Sequence, residues 1–304
     1  FLNQFLLSLI QRHSPQEVQI YAIDYDSGSL TAFDKAPHVN KVVLSNESDE
    51  IRAVFDSVNE ELDKRKELFR KYGGDYQNYV RTSGSTVPNI VVVISNFLAF
   101  TEGYGGGEDA VAKISREGKK YGVFVIVTAM NSSSVRYSLV PLFTNLLVLQ
   151  QNNEDQYEMI LGKTGGITPS KFKGRGIFKR NDITYEFQTT IAFEDSENIY
   201  ESIDKYCEKV AEESGYKKKE MKVVPSIITE EYFKSLGLDF LENSFPVAVD
   251  IKTREPVLMD FSSTKLTAIG YDQYYGSPEC IINKIIDCVE VSYIIDAGNL
   301  TNSE

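Results

Sequence analysis

Residues 89–94, Asn-Ile-Val-Val-Val-Ile, constrain the fold of this chain more than any other segment. Five consecutive apolar β-branched residues leave no polar face, so a strand of this kind must be covered on both sides, as in a parallel sheet. Two further apolar runs, at 123–128 and 146–150, predict a second and a third buried strand. Because helical patterns separate these runs, the sequence predicts an α/β fold with an open, mostly parallel sheet.

Helical periodicity and turn residues place the other elements of the first 214 residues. We predict helices over 1–13, 49–72, 109–120 and 198–214, strands over 18–24 and 41–44, a flexible loop over 103–107, and a closing β-hairpin from 174–178 and 184–190. In the long second helix, apolar positions including Ile51, Leu62, Leu68 and Phe69 are expected to face the core.

The pattern of strands and helices stops near residue 215 and starts again near 245. The basic run Lys217–Lys219 is expected to be solvated. Beyond Phe245 the sequence predicts a hairpin around Thr253, a strand at 265–270, a helix at 278–289 and a strand at 291–296. We therefore predict a first domain at 1–214, a linker at 215–244 and the opening part of a second domain at 245–304.

The two ends of the chain resemble each other. The helix Phe1–Leu6 matches Ile281–Ile286 in pattern, and each is followed by a strand that closes on aspartate, at Asp24 and Asp296. This repeat indicates that the chain runs from the second element of one module into the first elements of another.

Composition excludes several classes of protein. The net charge of −12, from 44 acidic and 32 basic residues, argues against a broad nucleic-acid surface, although a local basic groove stays open. Three cysteines without a CxxC pair and two distant histidines predict neither a disulfide framework nor a zinc site. We see no signal peptide and no apolar run that could span a bilayer, and expect this chain to be soluble.

Five segments, in order, resemble the FtsK/SpoIIIE family of motor ATPases, most closely the tandem cytosolic modules of EssC-type (YukB-like) type VII secretion proteins. They are SPQEVQIYAIDYDSGSLTAFDKAPHV at 14–39, ELDKRKELF at 61–69, VPNIVVVISNF at 87–97, SREGKKYGVFVIVTAMNSS at 115–133 and KGRGIF at 173–178. The resemblance covers nearly the whole chain.

The resemblance implies a RecA-like P-loop NTPase fold that couples Mg-ATP hydrolysis to movement of a polymer, in this branch a small secreted protein of the WXG type. It also implies a position on the cytoplasmic side of the cell membrane, as part of a longer membrane-anchored protein. Its partners would be other modules of the same motor, membrane components of type VII secretion and further copies of the full protein in a homo-oligomer. The net charge of −12, not the resemblance, disfavours nucleic acid as a partner.

The phosphate-binding loop that such an enzyme needs is missing or altered in both modules. In the first module it would precede Phe1, so ATP and Mg²⁺ are expected as ligands only if that upstream loop is restored. In the second module it would occupy residues 270–277, where Gly270, Gly276 and Ser277 remain but no lysine is present. Without that ammonium group the turn lacks the charge that holds phosphates, so we expect a degenerate loop.

The strand that should carry the Walker B acids is degenerate as well. Ser95 and Asn96 stand where an aspartate would hold the metal's water shell and a second acid would activate water. Glu102 could in principle substitute for the missing acids, but it lies after residues 97–100, on the next element. We therefore assign no catalytic residue and no metal ligand, and expect a weak or inactive ATPase.

Four further residues are candidates for contact with a nucleotide or a neighbouring subunit: Asp24, Asn131, Arg136 and Arg175. Each also has a structural alternative. Asp24 and Asn131 are of types that cap turns, and either arginine could pair with a carboxylate or a group of carbonyls.

Four hypotheses for function remain open on the sequence. The first is a degenerate module pair of a secretion motor, which acts in subunit contact and regulation. The second is an active ATP-binding module whose phosphate loop lies outside this chain. The third is a DNA translocase, which the negative charge disfavours, and the fourth is a scaffold unrelated to motors.

Overall fold

A computed structural model describes residues 1–193, 198–218, 221–238, 244–250, 253–262, 269 and 278–288. The chain forms two compact units, Phe1–Met221 and Lys222–Glu304, so the division falls within the segment predicted as a linker. In the part of the chain that is described, no helix is both long enough and apolar enough to cross a membrane.

Helices and strands alternate through the first unit. The helices are α1 (Leu2–Arg12), α2 (Ser48–Arg70), α3 (Tyr76–Ser83), α4 (Phe97–Gly103), α5 (Gly107–Glu117), α6 (Asp155–Leu161) and α7 (Ile199–Ser214). The strands are β1 (Val18–Asp24), β2 (Val39–Leu44), β3 (Asn89–Ser95), β4 (Val123–Val127), β5 (Leu147–Leu149), β6 (Arg175–Arg180) and β7 (Ile183–Gln188). Short 3-10 turns at 29–33, 118–121, 132–134 and 140–142 complete the connections.

Four parallel strands form the main sheet, in the order β2-β1-β3-β4. The apolar run at 89–94 forms β3, which lies inside this sheet, and from Ile90 to Ser95 all residues of the strand are buried. The predicted α/β class with a mostly parallel sheet is therefore confirmed.

Helices cover both faces of the sheet. One face packs against α2, α4 and α5, with Val54, Phe97 and Val111 among the buried residues. The other packs against α1, α7 and the 3-10 turn at 29–33, with Leu7 and Phe33 among them. The first unit thus has three layers, and side chains that alternate along each strand of the main sheet enter opposite cores.

The inward face of α2 differs from the prediction at two positions. Leu68 is 42% exposed and Arg65 is 1% exposed. Ile51, Val54, Val58, Leu62 and Phe69 are buried as i, i+3, i+4 periodicity requires, and Arg65 belongs to that row. Leu68 lies off the row, so a correct helix assignment gave a wrong side-chain direction there.

The apolar run at 146–150 was wrongly predicted to be a third buried strand of the main sheet. The strand β5 is shorter and pairs antiparallel with β6, which pairs antiparallel with β7 in a separate three-stranded sheet. Only Val148 is buried, against Tyr157, Leu161 and Ile177. A short apolar run cannot distinguish these two environments, because the partner strand is distant in sequence.

The second unit contains α8 (Glu230–Ser235), β8 (Ser244–Val249), β9 (Pro256–Asp260) and α9 (Glu279–Cys288). β8 and β9 form the antiparallel hairpin expected around Thr253. The predicted strands at 265–270 and 291–296 lie outside the described residues, apart from Ile269.

Candidate functional site

The carboxyl ends of the parallel strands bring together the residues that the sequence singled out in two separate motifs. Asp24 at the end of β1 is the register partner of Ser95 at the end of β3. The Tyr25 amide donates to the Ser95 carbonyl oxygen at 3.3 Å, which extends the ladder by one bond. Ligands of open α/β sheets bind at this edge, so the edge is the candidate site.

Asp24 holds the turn that follows β1. Its Oδ1 accepts the Asp26 amide at 2.9 Å, and its Oδ2 accepts the Leu30 amide at 3.0 Å. The residue is 3% exposed. Both carboxylate oxygens therefore have backbone partners, which is the structural alternative that the sequence left open.

Asn96 turns the chain from β3 into α4. Its backbone is left-handed, at φ 57°, a conformation in which asparagine is favoured among non-glycine residues. Its Oδ1 accepts the Ala99 amide at 3.4 Å as the cap of α4, and its Nδ2 donates to the Tyr25 carbonyl oxygen at 3.3 Å. Both ends of the side-chain amide are used to join β3, α4 and the turn after β1.

Thr128, which the sequence reasoning did not single out, links β4 to this same turn. Its Oγ1 accepts the Asn96 amide at 3.0 Å, and its carbonyl oxygen accepts the Phe97 amide at 2.8 Å. The signal that the sequence offered for Thr128 was its position immediately after an apolar strand. Its importance depends on a partner 32 positions away.

An aromatic cluster lies beside Asn96. The Tyr25 ring meets Phe100 edge-on at 5.5 Å between centroids, and Tyr104 stacks on Phe100 at 5.8 Å. The Tyr25 hydroxyl is buried without a hydrogen-bond partner. Burial, and to a smaller extent Tyr104, raise the pKa of Tyr25. This side of the edge is apolar and neutral.

Asn131 and Arg136 follow β4. Asn131 Oδ1 accepts from the Ser133 hydroxyl at 2.7 Å and from the Ser134 amide at 3.1 Å, so its carbonyl group stabilises the turn. Arg136 Nε lies 3.0 Å from Glu108 Oε2 in the first turn of α5, with the arginine side chain 79% exposed. Both residues therefore have structural partners, and contact with a nucleotide or subunit stays a prediction.

Arg175 lies in the separate antiparallel sheet, at the start of β6. Its Nη1 is 3.6 Å from Glu186 Oε1, and its guanidinium lies 5.7 Å from the Phe172 ring centroid. Its Nε is buried without a partner. Arg175 is thus half-buried beside a carboxylate and an aromatic ring, and the predicted contact with a neighbouring subunit stays untested.

The degenerate phosphate-loop position, with Gly270, Gly276 and Ser277, lies outside the described residues. Within the described ranges, no group of three or more His, Cys, Asp and Glu side chains could hold a metal ion. At the edge of the main sheet, Asp24 is already bonded to backbone amides and Ser95 is neutral. These residues do not fit a magnesium site by themselves.

Comparison with known proteins identifies the group to which this arrangement is similar. The sequence model of the FtsK/SpoIIIE family matches residues 1–165. The ESX secretion system protein EccC of Thermomonospora curvata is 24% identical over 291 residues, which cover 92% of this chain and 21% of the relative. The type VII secretion system protein EssC of Staphylococcus aureus MRSA252 is 24% identical over 294 residues, which cover 88% and 19%.

Solved structures show the same architecture. EssC (ATPases 2 and 3) from Geobacillus thermodenitrificans superposes with a TM-score of 0.71 at 21% identity, over 85% of this chain and 50% of that one. Thermomonospora curvata EccC (ATPases 2 and 3) in complex with a signal sequence peptide gives 0.68 at 25% identity, over 86% and 48%. The predicted P-loop NTPase fold is thus confirmed, and the chain spans about a fifth of the length of these two curated relatives.

Proposed function

This chain belongs to the FtsK/SpoIIIE family and is related to the ATPase modules of EccC, EssC and YukB proteins, and from this premise we propose that it is a cytosolic part of a type VII secretion motor. In this proposal its first module, at 1–214, is degenerate in ATP hydrolysis. It acts in subunit contact, regulation and the export of small WXG-type proteins.

The observation that carries the proposal is the Ser95–Asn96 pair at the end of β3. Hydrolysis requires a carboxylate there to hold the metal's water shell and a base to activate water, and loss of a positioned base alone removes about 10²–10⁴-fold of rate. Both ends of the Asn96 side-chain amide already form hydrogen bonds, to Tyr25 and to Ala99. Asp24, the register partner of Ser95, accepts hydrogen bonds from backbone amides with both of its carboxylate oxygens.

The proposed partners follow from the relatives. The Thermomonospora EccC structure holds a signal sequence peptide, which supports a WXG-type secreted protein as substrate of the longer protein. Other modules of the same motor, membrane components of the secretion system and further copies of the full protein complete the proposed assembly. Relatives described as cytoplasmic domains support a place on the cytoplasmic side of the membrane, within a longer anchored protein.

A second candidate is an ATP-binding module whose phosphate loop lies upstream of Phe1. It is favoured by α1, which packs on the sheet and is joined to β1 by residues 13–17 alone. Because so short a connection reverses the direction of the chain, α1 would begin near the carboxyl edge, where a helix N-terminus could face phosphates. A DNA translocase is disfavoured by the net charge of −12.

Isothermal titration with ATP·Mg²⁺ and turnover measurements on the full-length protein separate the first two candidates. We expect no ATP binding to the 304-residue chain. In the full-length protein, Ser95→Ala should leave ATP turnover within about twofold of wild type, because in this proposal no step of hydrolysis uses the Ser95 side chain. Thr101→Ala on the helix that follows is the matched control.

A loss of turnover of about tenfold or more in Ser95→Ala, with Thr101→Ala unchanged, would refute degeneracy and favour the active module. Restoring the upstream residues and repeating the titration then reports whether the loop binds nucleotide.

A further inference from the structure

Residues 163–188 carry a charge opposite to that of the rest of the chain. Six basic and two acidic residues give this segment a net charge of +4, and because the whole chain carries −12, the remaining residues together carry −16. The segment comprises the loop after α6 and the strands β6 and β7, which pair as a hairpin. A local basic surface, which the net charge of the chain left open, is therefore present.

Pairing in the hairpin places several of these cations on one face. Arg175, Ile177 and Lys179 alternate along β6 and therefore point to the same side of the sheet. The loop lies on that side, because the Lys179 ammonium donates to the Lys163 carbonyl oxygen at 3.2 Å and the Phe172 ring centroid lies 5.7 Å from the Arg175 guanidinium. We call this surface the basic face and define it by Lys163, Lys171, Phe172, Lys173, Arg175 and Lys179.

The cations of the basic face are poorly neutralised within one copy. The ion pairs of Arg175 and Lys179 are both 3.6 Å long, which exceeds the length of a hydrogen bond. Among the described residues, no carboxylate pairs with Lys171 or Lys173, and both lysines are exposed. Between them Phe172 is 65% exposed. Unpaired charge around an exposed aromatic ring is a feature of surfaces that dock a partner of opposite charge.

Three exposed carboxylates lie beside the aromatic cluster at the carboxyl edge of the main sheet. Asp26 and Glu102 are within two residues of members of the cluster, and Asp56 follows Phe55, whose ring stacks on Tyr104 at 6.0 Å between centroids. Burial, and after it the charge of Asp56, raise the pKa of the Tyr104 phenol, so this carboxylate is close to the cluster. We call Asp26, Asp56 and Glu102 the acidic edge.

The acidic edge and the basic face belong to different sheets of the first unit. The acidic edge lies on α2, on α4 and on the turn after β1. The sheet that carries the basic face is attached to the segment after β4, because the Ser132 hydroxyl donates to Gln156 Oε1 on α6 at 2.7 Å. One copy thus presents both charges on separate surfaces. A contact between such unlike surfaces is heterologous, and it repeats from one copy to the next.

We propose that the basic face docks on the acidic edge of a second copy of this chain, so that copies associate head to tail. Lys171 and Lys173 then meet carboxylates of the acidic edge, and Phe172 meets the margin of the aromatic cluster. The proposal rests on the subunit contact in the proposed function and names its two surfaces. Because it involves no nucleotide, its failure would leave the assignment of degenerate hydrolysis untouched.

Sedimentation velocity of the 304-residue chain tests the proposal. We expect species larger than the monomer at about 50 mM salt and their loss at about 500 mM, because high salt screens exposed charges within a few ångströms. The face variant, Lys171→Glu with Lys173→Glu, and the edge variant, Asp26→Lys with Glu102→Lys, should each lower the association constant by about tenfold or more, since like charges then meet. Circular dichroism checks that both variants are folded.

A control variant reverses the same number of charges elsewhere. Lys64→Glu with Lys119→Glu changes two exposed lysines near the amino ends of β3 and β4, away from both surfaces. It should associate as the wild-type chain does at about 50 mM salt.

A mixture of the face and edge variants makes the test specific for unlike surfaces. The edge variant retains the basic face, and the face variant retains the acidic edge, so one native contact is possible between them and no further one. Equimolar mixing should therefore give a dimer of one copy of each, although each variant alone is monomeric. A contact between like surfaces would not be restored in this way.

Three results would overturn the proposal. The first is a wild-type chain that stays monomeric at low salt. If that chain instead binds duplex DNA or phosphatidylglycerol vesicles, and the face variant does not, the basic face belongs to that partner. The second is self-association that the face and edge variants retain, which would assign the contact to another surface. The third is a mixture of the two variants that remains monomeric.

Discussion

Arg65 on α2 donates a hydrogen bond from Nη1 to the carbonyl oxygen of Tyr121 at 2.8 Å, although the two residues lie 56 positions apart. Its Nη2 donates to the Pro88 carbonyl oxygen at 2.6 Å, and its Nε to Glu61 Oε1 at 2.9 Å. Pro88 and Tyr121 precede β3 and β4. One buried guanidinium therefore holds the long helix against the amino ends of two strands.

We expect Arg65→Met to lower the free energy of unfolding of the first unit by about 3 kcal/mol. The substitution leaves buried carbonyl oxygens without donors, and breaking a buried charged pair typically costs 3–5 kcal/mol. Urea denaturation followed by far-UV circular dichroism measures the change. Arg70→Met removes an exposed ion pair to Glu67 on the same helix and should change stability by less than about 0.5 kcal/mol. Equal losses in the two variants would contradict this role.

Asn96 combines a left-handed backbone with a helix cap, so its variants should rank in a particular order. Asn96→Ala loses the helix cap and places alanine in the unfavourable left-handed conformation, so we expect the free energy of unfolding to fall by about 2–3 kcal/mol. Asn96→Gly relieves the backbone, so its loss should be smaller, about 1 kcal/mol. Thermal or urea unfolding gives both values. A glycine variant no more stable than the alanine variant would show that the backbone angle is unimportant.

Because of His38, we expect the free energy of unfolding of the first unit to decrease on mild acidification. Its Nε2 is 2.7 Å from the His13 carbonyl oxygen, and its Nδ1 is buried without a partner. Burial lowers its pKa below the ordinary 6.5; the hydrogen bond to the His13 carbonyl oxygen opposes this, and the nearby Glu17 does so to a smaller extent. Because the unfolded chain then binds a proton more readily, stability is full above about pH 6.5 and falls as the pH decreases, by at most about 1.4 kcal/mol per pH unit.

Urea titrations between pH 5 and pH 8 measure this slope. In His38→Gln, which keeps a donor for the His13 carbonyl oxygen, the slope should flatten. His13→Gln, at an exposed histidine, is the control and should keep the slope. An unchanged slope in His38→Gln would assign the pH dependence to other groups.

Cys207 on α7 should be unreactive in the folded protein. It is buried in the core formed with α1 and β1, and burial raises the pKa of its thiol to about 12. The thiolate is the reactive form, so alkylation by iodoacetamide at pH 8 should require unfolding. In a background with Cys280→Ser and Cys288→Ser, mass spectrometry should find Cys207 modified only in denaturant. Rapid modification without denaturant would mean that α7 opens readily.

The sequence predicted the types and order of most described elements because these depend on local patterns. Even where the boundaries moved by a few residues, β1, β3, α2 and α7 lie where periodicity placed them. The residues at the carboxyl edge of the sheet were also singled out in the sequence. Asp24 was predicted to end a strand, and Ser95 and Asn96 were assigned to the Walker B position by the family resemblance; parallel strands bring such residues to one edge.

Side-chain direction and strand pairing were predicted less well. Leu68 was predicted to face the core but is exposed, Arg65 is buried although the sequence gave no reason to expect it, and β5 joined another sheet. Thr128 was missed because a threonine after a strand is unremarkable until Asn96 is seen to donate to it.

By itself, therefore, the sequence determined the alternation of strands and helices, the family and the presence of serine and asparagine at the end of β3, since each of these is written in neighbouring residues. Only the tertiary structure decided that Arg65 bonds to carbonyl groups of two other segments and that both ends of the Asn96 amide form structural hydrogen bonds. These features depend on contacts between residues far apart in the chain, and no local pattern encodes them.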